Sequence, residues 1–325
     1  MKIYLIISID TECDKGPNWQ VRQPLQFKNV LEGIPKRLQP LFEKYNLKPT
    51  YLLSPEVLMN DDCTNLFKSL NENGELGTHL HAEFIKPDPN WTAEYTNSFQ
   101  SDYETRIEFE KLKNLTDLFK AKFDYYPESF RAGRFGISKQ TLRFLQDLGY
   151  KVDSSVTPFW WWSGENGKGV NFLGSPYQPY HPSSNDFRIP GELRILEVPI
   201  TIINFFWDKL PMRFQRRLNP LNRVQITVLN LIFNKKLRCM WLRPTFSSTE
   251  EMLAVSAYIS QNASTDHIVL CMMFHSNEAT ASMSPYNSSD NEVCLFLKRL
   301  NEYFNSLSSK YEVQSIGLSE TASFL

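Results

Sequence analysis

Two pairs of side chains carry the chemistry this sequence can do. Asp10 and Glu12 follow an apolar, largely β-branched run that begins at Ile3. Residues two apart on a strand face the same way, so these two acids project together while Thr11 points to the other side. Carboxylates held side by side raise each other's pKa unless a cation lies between them. The pair therefore reads as a metal ligand plus a general base, or more plainly as a solvated strand end. His79 and His81 have the same spacing, after a short run with Gly77, and account for two of the five histidines. Neutral imidazoles on one face beside a carboxylate form a donor set that zinc, cobalt or a similar divalent metal accepts. Paired surface histidines are the competing reading.

The segments around these residues alternate in a regular way. A helical spacing from Val30 to Tyr45, with Pro35 at a first turn or kink, leads to an extended Pro49–Leu53. A helical stretch over about 55–70 and a turn at Asn73-Gly74 precede the strand with the histidines. Strand, helix, strand, helix, strand in so few residues predicts parallel βαβ units. A Pro- and Trp-bearing loop spans 83–101, and Tyr103 to Phe123 has the pattern of an amphipathic helix. A strand at 127–130 runs into Arg131, a helix covers 137–148, and a strand at 150–153 ends in Asp153. Further strands are expected within 193–203, over 267–274 and over 311–316, with helices over 250–260 and 292–304. Polar side chains arriving repeatedly where strands stop is the habit of a parallel barrel.

The chain of 325 residues carries a formal net charge of −1 with acids and bases interspersed, which leaves no electrostatic case for nucleic acid. Five cysteines, Cys13, Cys63, Cys239, Cys271 and Cys294, lack any C-x-x-C spacing and read as reduced thiols. The first strand begins too early for a signal peptide, and no apolar run approaches the roughly 18 residues of a membrane span, so a cytoplasmic protein is expected. Residues 204–238 stand apart: Phe205, Phe206, Trp207, Leu210, Met212 and Phe214 alternate with basic residues, and Asp208 is the one acid. This reads as helices packed outside a barrel with a basic face, or as a peripheral contact with an anionic membrane. Trp160, Trp161 and Trp162 suit either stacking on sugar rings or burial of a loop. The expected organisation is one domain over 1–325 with the basic aromatic segment as a helical insertion.

In order along the chain, Ser8-Ile9-Asp10-Thr11-Glu12, Gly77-Thr78-His79-Leu80-His81, Phe130-Arg131-Ala132-Gly133-Arg134-Phe135-Gly136, Val152-Asp153-Ser154-Ser155-Val156, Trp241-Leu242-Arg243-Pro244-Thr245 and Phe274-His275-Ser276-Asn277-Glu278 resemble the motifs of the NodB-type polysaccharide deacetylases, in particular the intracellular branch found in surface-polysaccharide gene clusters. The resemblance implies a distorted (β/α) barrel of about seven parallel strands. It implies Asp10 as general base, Arg131 as the residue that orients it, His275 as general acid and His79 as a metal ligand. Two departures stand out. Thr11 replaces a ligand aspartate, and the histidine motif is contracted to H-x-H, with Glu83 where the second histidine would fall. Glu12 and His81 are the residues expected to restore three ligands. Arg134, Asp153, Arg243 and Glu278 are expected to hold substrate or support the site.

The leading expectation is a divalent-metal hydrolase, zinc being the expected ion, that removes an N-acetyl group from a sugar or a nucleotide- or lipid-linked saccharide. A metal-free amidohydrolase acting on a cyclic amide and a degenerate barrel retained for binding or assembly at a membrane are the alternatives.

Overall fold

The computed structural model describes residues 1–16, 19–70, 74–91, 99–163, 169–218 and 238–325. In chain order, β1 (Lys2–Thr11) is followed by a π-helical stretch (Asn29–Leu38) that continues into α1 (Gln39–Lys44). Then come β2 (Pro49–Leu53), α2 (Pro55–Met59), α3 (Asp61–Leu70), β3 (Glu75–Leu80), α4 (Thr105–Phe123), β4 (Ser129–Ala132), α5 (Thr141–Asp147) and β5 (Val152–Asp153). The second half adds β6 (Trp161–Ser163), β7 (Gly169–Asn171), β8 (Leu196–Glu197), β9 (Ile202–Ile203), α6 (Met212–Gln215), β10 (Met240–Trp241), α7 (Thr249–Gln261), β11 (His267–His275), α8 (Asp290–Lys310) and β12 (Glu312–Ser315).

Seven parallel strands, in the order β11-β1-β2-β3-β4-β5-β8, form a curled sheet. The fold is thus a distorted (β/α) barrel. One edge of β1 pairs with β11 along nearly its whole length. The other is shared, with β12 beside Lys2–Leu5 and β2 beside Ile7–Thr11. Beyond β8 the chain draws the two ends of the sheet together: Ile200 N–H donates to Val156 O and Thr201 N–H to Cys271 O, both at 3.0 Å. Strands β1 and β11 are covered on both faces, which is why they are almost continuously apolar instead of alternating. A single apolar cluster runs from Ile3 to Leu318.

The helices follow their amphipathic pattern. On α4, Leu112, Leu115, Phe119 and Phe123 are buried, and Asp124 ends the helix in the left-handed region. A capping box of Ser289 and Glu292 starts α8 two residues before the apolar pattern suggests.

Several expected boundaries differ. Pro35 lies inside the π-helical stretch, where its missing N–H and its ring leave the α-helical ladder no regular partner. The helix expected over 55–70 is two helices, because Asn60 is extended between them. Pro199 separates β8 from β9, so the strand expected over 193–203 is two pairs of residues. The helix expected over 137–148 is confined to Thr141–Asp147. Of the basic segment, 204–218 form a 3₁₀ turn (Trp207–Lys209) and the single turn of α6, while 219–237 lie outside the described residues. Asn73, Pro17 and Asn18 lie outside them too. Among the described residues, no helix is long and apolar enough to cross a membrane.

Candidate active site

Register sets the site. Asp10 and His275 are direct Cα partners on β1 and β11, and His79 and Arg131 are partners on β3 and β4. All four side chains rise at the carboxyl ends of parallel strands. Gly77, two residues before His79, makes the close packing beneath them possible: a Cβ there would lie 2.2 Å from Ser129 Oγ and 2.7 Å from Ser129 O. Above the strand ends is a cavity of about 720 Å³, lined by Asp10, Glu12, His79, His81 and His275 on its floor and by Trp19, Trp160, Trp162, Trp241 and Tyr286 on its walls.

Arg131 is fully buried and each of its three guanidinium nitrogens donates a hydrogen bond. Nη1 reaches Asp10 Oδ1 at 2.6 Å, Nη2 reaches Ser8 Oγ (2.7 Å) and Ser154 Oγ (3.0 Å), and Nε reaches Ser154 O (2.8 Å). Burial pushes the Asp10 carboxyl up, but the Arg131 guanidinium and the imidazoles of His79 and His275 outweigh it, and the pKa lies below its ordinary value. The other oxygen, Oδ2, faces His79 Nε2 and His275 Nε2, each at 3.9 Å.

His275 is 14 % exposed and is oriented from behind. Glu278 Oε1 accepts from the His275 backbone N–H and lies 3.0 Å from Nδ1, and Arg243 Nη2 is 2.6 Å from the same oxygen. Burial raises the Glu278 carboxyl, but Arg243 and His275 bring it below its ordinary value. Nδ1 is held between Glu278 Oε1 and Arg243 Nη2, each at 3.0 Å, which turns Nε2 toward Asp10 Oδ2 and the cavity. The Trp19 ring covers the imidazole at 4.8 Å between centroids.

Glu12, His79 and His81 each offer one ligand atom within 4.8 Å of the others, and all three are buried. Their outward hydrogen bonds test whether a metal fits. His79 Nδ1 lies 3.0 Å from the Arg131 carbonyl, which only accepts, so Nδ1 carries a proton, and Nε2 lies 3.1 Å from Glu12 Oε1. His81 Nδ1 meets Glu83 at 3.3 Å and its Nε2 meets the same Glu12 oxygen at 2.5 Å. Two imidazoles whose Nδ1 atoms are committed elsewhere converge by Nε2 on one carboxylate oxygen, a donor set that fits a divalent cation. This is the outer-shell arrangement of metal-bound histidines. His81, not Glu83, completes the cluster. Glu83 instead takes Arg134 Nη2 at 2.6 Å, and that contact with His81 carries its carboxyl far below the ordinary value against the effect of burial. Thr11 points away and donates to Ile9 O.

Of the residues expected to hold substrate, Arg134 and Arg243 line the cavity. Asp153 and Glu278 do not, and both are fully buried. The register explains Asp153: it is opposite Phe130, one residue short of Arg131, and faces Glu197 on β8 beneath the rim. It accepts from Ser155 N–H (3.2 Å) and Ser155 Oγ (2.7 Å). Burial raises both its carboxyl and that of Glu197, and two buried acids side by side resist ionising together. Trp160 and Trp162 are on the cavity wall, with Trp162 stacked on Phe135, whereas Trp161 is not. Lys15 was not among the expected site residues. It is 5 % exposed, lines the cavity and places Nζ 2.5 Å from Glu12 Oε2. The spacing Glu12-x-x-Lys15 at the end of a strand was its only trace in the sequence.

No family model matches the sequence, and no curated protein matches it. Solved structures do. A protein from Mycobacterium smegmatis assigned as a polysaccharide deacetylase superposes with a TM-score of 0.53 at 12 % identity, over 99 % of this chain and 88 % of that one. A glycoside hydrolase/deacetylase assignment from Parabacteroides distasonis gives 0.61 at 12 %, over 99 % and 70 %. A polysaccharide deacetylase assignment from Pseudomonas aeruginosa PAO1 gives 0.54 at 13 %, over 99 % and 89 %. At such identities the likeness is one of architecture, and function has to be argued from the site. The chain has the fold of the NodB-type polysaccharide deacetylases.

Proposed function

We propose that the protein is a hydrolase that removes an N-acetyl group from a sugar or from a nucleotide- or lipid-linked saccharide, with a divalent metal, zinc for preference, held by Glu12, His79 and His81. The observation that carries this reading is the placement of Asp10 between Arg131 on one oxygen and two imidazoles on the other, beside that three-ligand cluster. A divalent ion there would supply an acidified water and a polarised amide carbonyl. Asp10, kept ionised by Arg131, accepts the proton of the attacking water. His275 Nε2 carries a proton to the leaving amine, its ring held by Glu278 and Arg243. The aromatic walls favour a substrate with C–H faces, as sugar rings have, and Arg134 and Arg243 offer donors for its hydroxyl or anionic groups.

Acetate release from a panel of N-acetylated sugars, free, nucleotide-linked and lipid-linked, tests the reading. Asp10→Asn and His275→Gln are each expected to lower kcat by about 10²–10⁴, and chelation to abolish turnover reversibly. Absence of acetate from every member of the panel with folded, metal-loaded protein would remove the deacetylase assignment. The contact of Lys15 with Glu12 favours a second reading, a metal-free amidohydrolase. Full activity in protein found metal-free by elemental analysis would select it.

A further inference from the structure

The candidate metal centre already has a cation in contact with it. Lys15 Nζ lies 2.5 Å from Glu12 Oε2, and both side chains are almost completely buried. The contact is Coulombic more than directional, since Oε2 has no hydrogen-bond partner in acceptable geometry. The other oxygen of the same carboxylate is where the Nε2 atoms of His79 and His81 converge. Glu12 therefore faces the metal position with one oxygen and an ammonium with the other. The carboxylates around the cavity floor are matched in the same way: Asp10 has Arg131 and Glu83 has Arg134. A divalent ion would enter a site whose negative charge is spoken for.

The Lys15 backbone is fixed. Its N–H donates to Met283 O at 3.0 Å, and Lys15 bridges Val21 across the loop. Only the side chain is free to leave Glu12, and an alternative resting place is close. The face of Trp19, on the cavity wall, lies 5.7 Å from Nζ, within the range in which an ammonium is attracted to an indole.

We infer that Lys15 is a tethered counter-ion that competes with the divalent metal for Glu12 and so sets the affinity of the centre. The inference rests on the metal reading given above. When the metal position is empty the ammonium neutralises Glu12, and when it is filled Nζ moves off Oε2 toward Trp19. An unbridged ammonium beside a divalent ion weakens binding through like-charge repulsion, and the lost ion pair weakens it further. Lys15 is in this sense a positioning residue that tunes the site, without being one of its ligands.

Lys15→Met keeps the length and removes the charge. Competition against a chromophoric chelator, with zinc and separately with cobalt, is expected to show at least tenfold tighter binding in Lys15→Met than in the wild type, equivalent to about 1.4 kcal/mol. Lys15→Arg, which keeps the charge, is expected to stay near the wild-type value. A folded Lys15→Met protein, verified by circular dichroism, that binds metal no more tightly than the wild type overturns the inference while leaving the metal reading in place. If neither protein takes up metal, both fall. A second measurement needs no variant: acylation of Lys15 by an amine-reactive reagent, followed by peptide mapping, is expected to rise several-fold when zinc or cobalt saturates the wild type. Unchanged Lys15 reactivity in saturated protein also overturns the inference.

Discussion

Replacing Arg131 with Met strands the Asp10 carboxylate, and the structure indicates how much that costs. Ser8 Oγ and Ser154 Oγ keep their own acceptors, Met272 O at 2.8 Å and Val198 O at 2.7 Å, so neither hydroxyl is orphaned. The loss falls on Asp10, which is 2 % exposed, and on the Ser154 carbonyl, which gives up the Nε–H donor. Removing one partner of a buried ion pair costs about 3–5 kcal/mol, against about 5–15 kcal/mol for the whole stability of a typical domain. The sign of the pH dependence follows from the carboxyl. In the wild type its folded pKa is depressed, so Asp10 contributes stability that is present above its ordinary value of 3.8 and is lost as pH falls. Without Arg131 burial dominates, the folded pKa rises, and the contribution of Asp10 reverses, disappearing as pH rises. Urea unfolding at several pH values between 4 and 8 is the assay. Arg131→Met is expected to lose the full amount at the alkaline end and less toward the acid end. Adding Asp10→Asn to Arg131→Met is expected to recover part of the stability, because the stranded charge is gone. A loss below about 1 kcal/mol throughout, or a double variant weaker than Arg131→Met, would refute the claim that this ion pair carries the floor of the cavity.

The Asp153 and Glu197 carboxyls, both raised, contribute stability that is complete below their ordinary values of 3.8 and 4.5 and fades as pH rises; Glu197→Gln should therefore flatten the alkaline decline in denaturation midpoint relative to wild type, and an unaltered pH slope would count against the pair. Gly77→Ala drives a Cβ into Ser129, and a destabilisation of about 1–3 kcal/mol is expected from overpacking; a neutral result in chemical denaturation would mean that β3 and β4 can part without penalty. Phe206, Leu210, Met212 and Phe214 are exposed beside Lys209, Arg213 and Arg217, and Asp208 is occupied by Tyr258 Oη at 2.7 Å. We propose that this stretch rests on anionic lipid: the protein should sediment with phosphatidylglycerol vesicles at low salt, less so as salt rises and less in Phe206→Glu/Phe214→Glu, whereas equal recovery with neutral vesicles would exclude an electrostatic contact.

The parts of the site that could be read from the chain are those that follow from strand periodicity. Asp10 and Glu12, and His79 and His81, lie two apart, and parallel strands deliver their carboxyl ends to one side, so their convergence needs no knowledge of loops. What periodicity does not convey is depth. Asp153 and His275 look alike in the sequence, each a polar residue where an apolar run stops, yet the stagger between neighbouring strands puts His275 level with Asp10 and Asp153 beneath the rim. Glu197 escaped notice as its partner because β8 is two residues long and has no period to read. Lys15 escaped because its approach to Glu12 depends on a loop tied to Met283, more than two hundred and sixty residues later. The break at Asn60 and the π-helical turn around Pro35 are local backbone choices that an apolar pattern spanning them cannot reveal.

Asp10 and His275 face each other on one rung of a hydrogen-bonded ladder. Neighbouring strands keep a separation of about 4.8 Å, so the gap a proton donor and acceptor must span around a scissile bond is built into the most rigid part of the molecule. Loops on the rim can then diverge to suit another ligand while the spacing of Asp10 and His275 stays constant. A single-residue insertion within β11, by contrast, would turn His275 to the opposite face and disable the chemistry with the cavity walls intact.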